Sequence, residues 1–246
     1  MSTSTRQSFT PLDVESCDRL LSTTRAVRRG LDLDRPVGRD VIEDCLRQAL
    51  QAPNGSNRQD WRWLLITDPD RRAAVADIYR RAFYARTAAA AAGGIAPRGD
   101  ARAMRDAHIL AECMHRVPVL LLPCLELGRP LPTGNQAGVW SSVLPAAWSY
   151  ALAARSRGLG TTFTTCHLDL ESDMADLLGL PSHVYQGPLI PTAYATRRDF
   201  SPGRRRPLED VLHVDGWDRE AAARVAAWPE PAGPSGSTTH AAQAAR

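Results

Sequence analysis

Residues 137–157 are apolar nearly all the way round a helix: Val139, Trp140, Val143, Leu144, Ala147 and Trp148 leave no polar face. A helix of that kind must be buried. The chain therefore needs a core that encloses it or a second surface that covers it, and Pro145 is expected to bend it or to sit near its first turns. The continuous apolar run Pro118 to Leu125 predicts a strand buried on both faces. Helical spacing of Val41, Ile42, Cys45, Leu46, Ala49 and Leu50 predicts an amphipathic helix over 38–51, with Cys45 as a buried thiol. Further helices are predicted over 12–22, about 70–86, about 101–115 and 170–180, and strands over 61–67, 159–165 and 189–195. With 246 residues, 43% of them hydrophobic, the chain can build one sizeable core. Periodicity and composition by themselves support one domain of the α/β or α+β class.

Composition closes off several functions. The 30 basic residues are all arginine, which excludes a Schiff-base lysine and a Walker-type phosphate loop. Arginine is nevertheless the better grip for a phosphate, because its planar fork donates two parallel hydrogen bonds. A net charge of +3 is too balanced for nucleic acid to be the main partner. The 5 cysteines are odd in number and scattered, with no CxxC pair, so neither a metal site nor a disulfide framework is expected. Residues 1–11 read as a flexible polar N-terminus without a signal segment. No run approaches the roughly 20 apolar residues that cross a bilayer. A cytoplasmic protein with no membrane partner is the expectation. Residues 217–228 read as a last helix and 229–246, rich in Pro, Ala, Gly, Ser and Thr, as a disordered tail. That leaves 12–228 as a single domain.

Chemistry concentrates in four stretches. Arg25, Arg28 and Arg29 fall at helical spacing and would share a face if that turn is helical. Like charges so close either face an anion or splay into solvent. The turn from Ala52 to Trp63 holds Pro53, Gly55 and the amides Asn54, Asn57 and Gln59, each both donor and acceptor. Such a cluster suits the edge of a flat heterocycle better than a metal or a phosphate. The strand predicted over 159–165 carries Thr164 and Thr165, residues that strands favour in any case. A basic loop, Arg197 to Arg206, runs into Pro207-Leu208 and ends near Val211. His108 and His115 read as surface or satisfied residues, and Cys166-His167 lacks the third member a nucleophilic triad needs. Two loops, 87–100 and 128–138, have the Gly, Pro and Asn content of lids.

The order of these stretches resembles the flavin-dependent nitroreductase superfamily. That family's first turn commonly reads Arg-Arg-Ser-x-Arg and its second Ala-Pro-Ser-x-x-Asn-x-Gln-Pro-Trp, leading into an apolar strand. Its long apolar helix ends in Ala-x-Gly-Leu-Gly, and its chain closes on Arg-x-Pro-Leu-x-x-Val. Here Thr24 and Ala26 stand where the first Arg and the Ser are usual, and Asp60 replaces the second Pro. The resemblance covers roughly residues 20–215. It implies an α+β three-layer sandwich, a central mainly antiparallel sheet flanked by helices, built as an intertwined homodimer with FMN at the interface. By residue it implies a phosphate clamp of Arg25, Ala26, Arg28, Arg29 and, by its spacing to Pro207, Arg205. It implies a ring edge held by Asn54, Ser56, Asn57 and Gln59, with Thr164 and Thr165 near the isoalloxazine. NAD(P)H is the implied co-substrate and a nitroaromatic, quinone or similar small molecule the acceptor. A biosynthetic flavin oxidase or dehydrogenase using oxygen, and a flavin-sequestering protein without turnover, are the alternatives. No side chain is assigned as a catalyst, since the hydride chemistry belongs to the flavin.

Overall fold

The computed structural model describes residues 12–93, 101–197 and 199–217. Six helices are present among them: α1 (Val14–Thr23), α2 (Arg39–Ala49), α3 (Pro69–Ala92), α4 (Ala101–Cys113), α5 (Ala137–Ser156) and α6 (Glu171–Leu178). Five strands accompany them: β1 (Trp61–Ile66), β2 (Val119–Glu126), β3 (Leu159–Thr161), β4 (Val184–Gln186) and β5 (Ile190–Tyr194).

β2 is the spine, buried at every residue but its last. From Leu120 to Leu125 it pairs with β1, Trp61 opposite Leu125 and Ile66 opposite Leu120. Its other edge is divided between β5, at Val119 to Leu121, and β4, at Cys124 to Glu126. Pro123, which has no N–H to give, falls in the gap between those two partners, a tolerable place for proline in a central strand. There Gly187 N donates to Pro123 O at 2.8 Å, and a Cβ on Gly187 would stand 2.7 Å from that oxygen. The sheet order is β1-β2-β5-β3 with β4 beside β2, and every paired strand is antiparallel.

Alternation along β2 feeds two helix layers. Leu120, Leu122 and Cys124 pack with Val75, Tyr79 and Phe83 of α3, Leu110 of α4 and Met174 of α6. Val119 and Leu121 pack with Ile42, Cys45 and Ala49 of α2 and Ala147, Tyr150 and Ala154 of α5. The result is the α+β three-layer sandwich. Burial pushes the Cys45 thiol up to about 11, so it is inert, as its place on the stripe predicts.

Several local expectations change. α3 continues through 87–92, where a loop is expected: the alanine run is a strong helix former. The rest of that loop, 94–100, lies outside the described residues, as do 1–11, 218–228 of the expected last helix, and 229–246. α5 carries Pro145 in its interior rather than at its start. β3 ends at Thr161, and Thr164 returns only as a lone bridge to Leu189. By contacts the chain separates into two units, 1–203 and 204–246. The second holds a short turn of 3-10 helix, Leu208–Asp210, and a stacked pair, His213 and Trp217, 4.1 Å between ring centroids.

Candidate functional site

The arginine stretch is shaped by how α1 ends. Thr24 caps the helix, its hydroxyl donating to Leu20 O at 2.6 Å, and turns the backbone extended. The chain then runs parallel to β3: Ala26 bridges Thr161, and Val27 N donates to Thr161 O at 2.8 Å. Arg25, Arg28 and Arg29 therefore lie on an extended segment and do not share a helix face; a non-local bridge overrides their helical spacing. Val27 and Leu31 dive into the core. They fit there because Gly160 has no side chain, since a Cβ on it would stand 3.0 Å from both. Gly30 makes the turn out with φ +83°, a conformation glycine accepts at little cost, and its carbonyl takes Thr196 N at 2.8 Å.

Anchored on both sides, this segment lines a cavity of about 450 Å³ together with Arg102, Arg197 and Asp106. Five arginines and one carboxylate make its charge strongly positive, and Asp106 lies 3.8 Å from Arg29, on the exposed side. Ala26 lines it too.

Arg28 also lines a second cavity of about 360 Å³, which is apolar in character. Tyr79, Phe83, Met104 and Ala107 wall it, and Thr164 and Cys166 form its polar end. Thr164 Oγ1 donates to Tyr79 Oη at 3.1 Å, and burial drives the Tyr79 phenol up to about 12, so it stays protonated at neutral pH. At the rim Arg86 grips Asp169 with two hydrogen bonds, 2.7 and 2.6 Å, which hold that carboxyl below the usual range.

The remaining expected residues sit elsewhere. Thr165 is exposed beside Thr164, caps the short helix Cys166–Leu170, and lines neither cavity. The turn of Asn54, Ser56, Asn57 and Gln59 also lines neither. It is a strained turn: Ser56, Asn57 and Gln59 all have φ between 52° and 54°, each a departure costing on the order of 1 kcal/mol or more outside glycine. Its own amides hold it, Gln59 N donating to Asn54 Oδ1 at 3.1 Å and Gln59 Nε2 to Asn57 Oδ1 at 3.2 Å. Gly55 N ties it to Ser142 Oγ of α5 at 3.2 Å. Arg205 belongs to the second unit, where its Nη1 donates to Arg204 O at 2.9 Å. Arg102 and Tyr79 escape sequence reasoning, because nothing but the fold brings them to Arg28 and Thr164.

A model of the nitroreductase family matches residues 21–190, more than two thirds of the chain. The chain belongs to the nitroreductase family. It is thereby an enzyme of the flavin-dependent oxidoreductase type. Iodotyrosine deiodinase 1 of Rattus norvegicus is 24% identical over 205 residues, spanning 79% of this chain and 67% of that protein. The crystal structure of oxidized iodotyrosine deiodinase bound to FMN and 3-iodo-L-tyrosine superposes with a TM-score of 0.62 at 19% identity, covering 80% of this chain and 98% of that one. An FMN-dependent nitroreductase from Clostridium difficile R20291 superposes with a TM-score of 0.58 at 15% identity, covering 81% and 99%. These likenesses establish the fold. Within this member of the family, the matched segment includes the arginine stretch and the amide turn but stops short of Arg197 and Arg205.

Proposed function

We propose that this chain is an FMN-dependent oxidoreductase that takes hydride from NAD(P)H and passes electrons to a nitroaromatic, a quinone or a similar small acceptor. The observation that carries the reading is the junction at Arg28 of a cationic cavity with an apolar one. A flavin mononucleotide is built the same way, a dianionic phosphate at one end and a flat heterocycle at the other. The donor set fits it: Arg25, Arg28 and Arg29 offer guanidinium forks to the phosphate, with Arg205 as the proposed fourth and the Ala26 backbone alongside. Thr164 and Thr165 would flank the ring.

When bound, FMN supplies the hydride and electron transfer. The chain's own residues do the rest. The arginines neutralise the phosphate and fix the cofactor's register. Tyr79, Phe83 and Met104 keep water from the apolar cavity, which favours a flat hydrophobic acceptor. Tyr79 orients the Thr164 hydroxyl and, with its proton held to about 12, exchanges none itself. Arg86, tied to Asp169, stays at the rim.

The ring edge needs mixed donors and acceptors, and Asn54, Ser56, Asn57 and Gln59 provide them from a second copy of the chain. Apolar surface supports that homodimer. α1 buries none of its residues and leaves Leu12 before it and Val14 and Leu21 within it 73%, 64% and 56% exposed, and α5 leaves Leu144 and Trp148 42% and 40% exposed. Five free cysteines suit a reducing cytoplasm, and residues 12–228 would form the one FMN-binding domain.

Purified full-length protein is expected to be yellow and to release FMN on heating. Its NAD(P)H oxidation is expected to accelerate on adding menadione. A colourless protein that takes up no FMN at micromolar concentration sinks the reading. Turnover with oxygen and a dedicated substrate but not with menadione marks a flavin oxidase, and bound FMN without any turnover marks a sequestering protein.

A further inference from the structure

The apolar cavity holds one charged group that the flavin reading leaves without a task. Among the described residues that line it, only Arg28 and Arg86 carry charge. Arg28 is shared with the cationic cavity, where the phosphate is proposed to sit, and Arg86 is not. Every nitrogen of the Arg86 guanidinium has a partner. Nε and Nη2 donate to Asp169 Oδ2 and Oδ1 at 2.7 and 2.6 Å, and Nη1 reaches Cys166 Sγ, at the cavity's polar end, at 3.8 Å. Asp169 itself does not line the cavity. The carboxylate stands behind the guanidinium and cancels its charge.

Stability does not explain the pair. Both side chains are 46% exposed, and an ion pair so open to water contributes little to folding. α3 is held to the same region without it: Arg81 Nη2 donates to Asp173 Oδ2 at 2.8 Å, and Tyr79 and Phe83 share a core cluster with Met174 and Leu170. What the pair changes is the field at the cavity. An unpaired guanidinium at the edge of an apolar space draws carboxylates in, whereas a paired one presents no net charge. The rest of the polar end adds none: burial keeps the Tyr79 phenol protonated, at about 12, and Thr164 is a hydroxyl. With Arg28 on the phosphate, an entering carboxylate gives up its water and finds no free cation in return, a costly transfer. An uncharged ring gives up little.

We propose that the Arg86–Asp169 pair is a charge filter at the rim of the apolar cavity, which admits uncharged aromatic acceptors over carboxylated ones. Asp169 is then a positioning residue that acts through Arg86. The inference rests on the oxidoreductase reading for calling the occupant an acceptor, though not for its test.

That test is calorimetric titration of the full-length protein, as purified, with para-nitrobenzamide and para-nitrobenzoate, nitroaromatics of one shape that differ by a single charge. In yellow wild type the amide is expected to bind at least about tenfold more tightly. Asp169→Asn frees the guanidinium and should strengthen the benzoate by about tenfold, with the amide within about twofold. Arg86→Gln leaves the carboxylate unpaired instead and should weaken the benzoate further, by about threefold. The double variant, and Asp169→Glu, which keeps the pair, should each return the ratio to within about twofold of wild type. Should one single variant fail to fold, the other and the double variant still give the sign. A pair that merely staples α3 in place would shift both single variants the same way, and that result overturns the proposal. So do ratios unchanged in both, yellow wild type that binds the benzoate as tightly as the amide, and a protein that binds neither probe. A protein that takes up no FMN yet shows the opposite shifts keeps this inference and loses the flavin reading. Yellow protein with menadione turnover and no opposite shifts gives the reverse.

Discussion

His167 has no exposed surface, and burial pushes its imidazole from an ordinary 6.5 down to about 4, against smaller upward pulls from the Gly187 backbone and Asp169. The sign of the consequence follows from proton counting. Between those values the unfolded chain binds a proton that the folded chain refuses, so stability rises with pH across that window. The contribution is fully present above about 6.5 and is lost as pH falls towards 4, about 3 kcal/mol in all at 1.36 kcal/mol per pH unit of displacement. Urea unfolding of wild type should therefore lose about 2 kcal/mol more between pH 7 and pH 5 than unfolding of His167→Gln, whose side chain does not titrate. Parallel losses in the two proteins would mean that His167 is not the buried neutral group described. The same numbers explain why Cys166-His167 is no catalytic pair. Asp169, the carboxylate nearest in sequence, spends both oxygens on Arg86, and a histidine this reluctant to charge is a poor base.

At the scale of elements, α5 states the problem most clearly. Its sequence demands burial all round, yet one chain covers Val143, Ala146, Ala147, Tyr150 and Ala154 and leaves Leu144 and Trp148, one turn apart, 42% and 40% exposed. Trp148 also meets Phe163 edge to face, 6.1 Å between centroids, so the open stripe continues onto the loop after β3. Trp148→Glu, or Leu144→Glu, is expected to convert a dimer to a species of one chain, 26.8 kDa by light scattering, with far-ultraviolet helicity retained. A wild type already at that mass in dilute native buffer defeats the expectation. Elements with a strong period were legible in the sequence: the 38–51 stripe and the apolar run of β2 lie where they were expected. What failed was whatever depends on a distant partner. The arginine stretch is extended because it bridges Thr161, and β4 has three residues that pair only with the end of β2. α3 outruns its predicted end because its alanine run, a strong helix former, carries it on to Ala92. Likewise the arginines of the candidate site were legible as residues, while Arg102, Arg197 and Tyr79 join them through tertiary structure alone.

At the scale of the whole molecule, the proposed flavin site draws on both the arginine stretch and the amide turn, and among the described residues the turn lines neither the cationic cavity nor the apolar one. In the homodimer proposed above, each partner would lend its turn to the other's arginines, giving two equal sites. The strain stored in the turn fits such a role, for Ser56, Asn57 and Gln59 keep left-handed backbone while their side chains brace one another. A shared site makes a prediction no single-chain site can match. Arg28→Ala should weaken FMN binding by about 30-fold or more, since a charge-assisted donor is lost and the phosphate is left underpaired. Asn57→Ala should weaken it separately, by loss of a ring-edge contact and of the brace to Gln59. Neither homodimer then has a sound site. Unfolding the two variants together in urea and refolding them produces mixed dimers, in which one site carries both defects and the other carries none. Random pairing restores about a quarter of the wild-type sites at high affinity. Those sites are read by the FMN retained after gel filtration at a concentration that strips each variant alone. If each site were complete within one chain, mixing would restore nothing, and the amide turn would have to reach the arginines by a path inside its own chain.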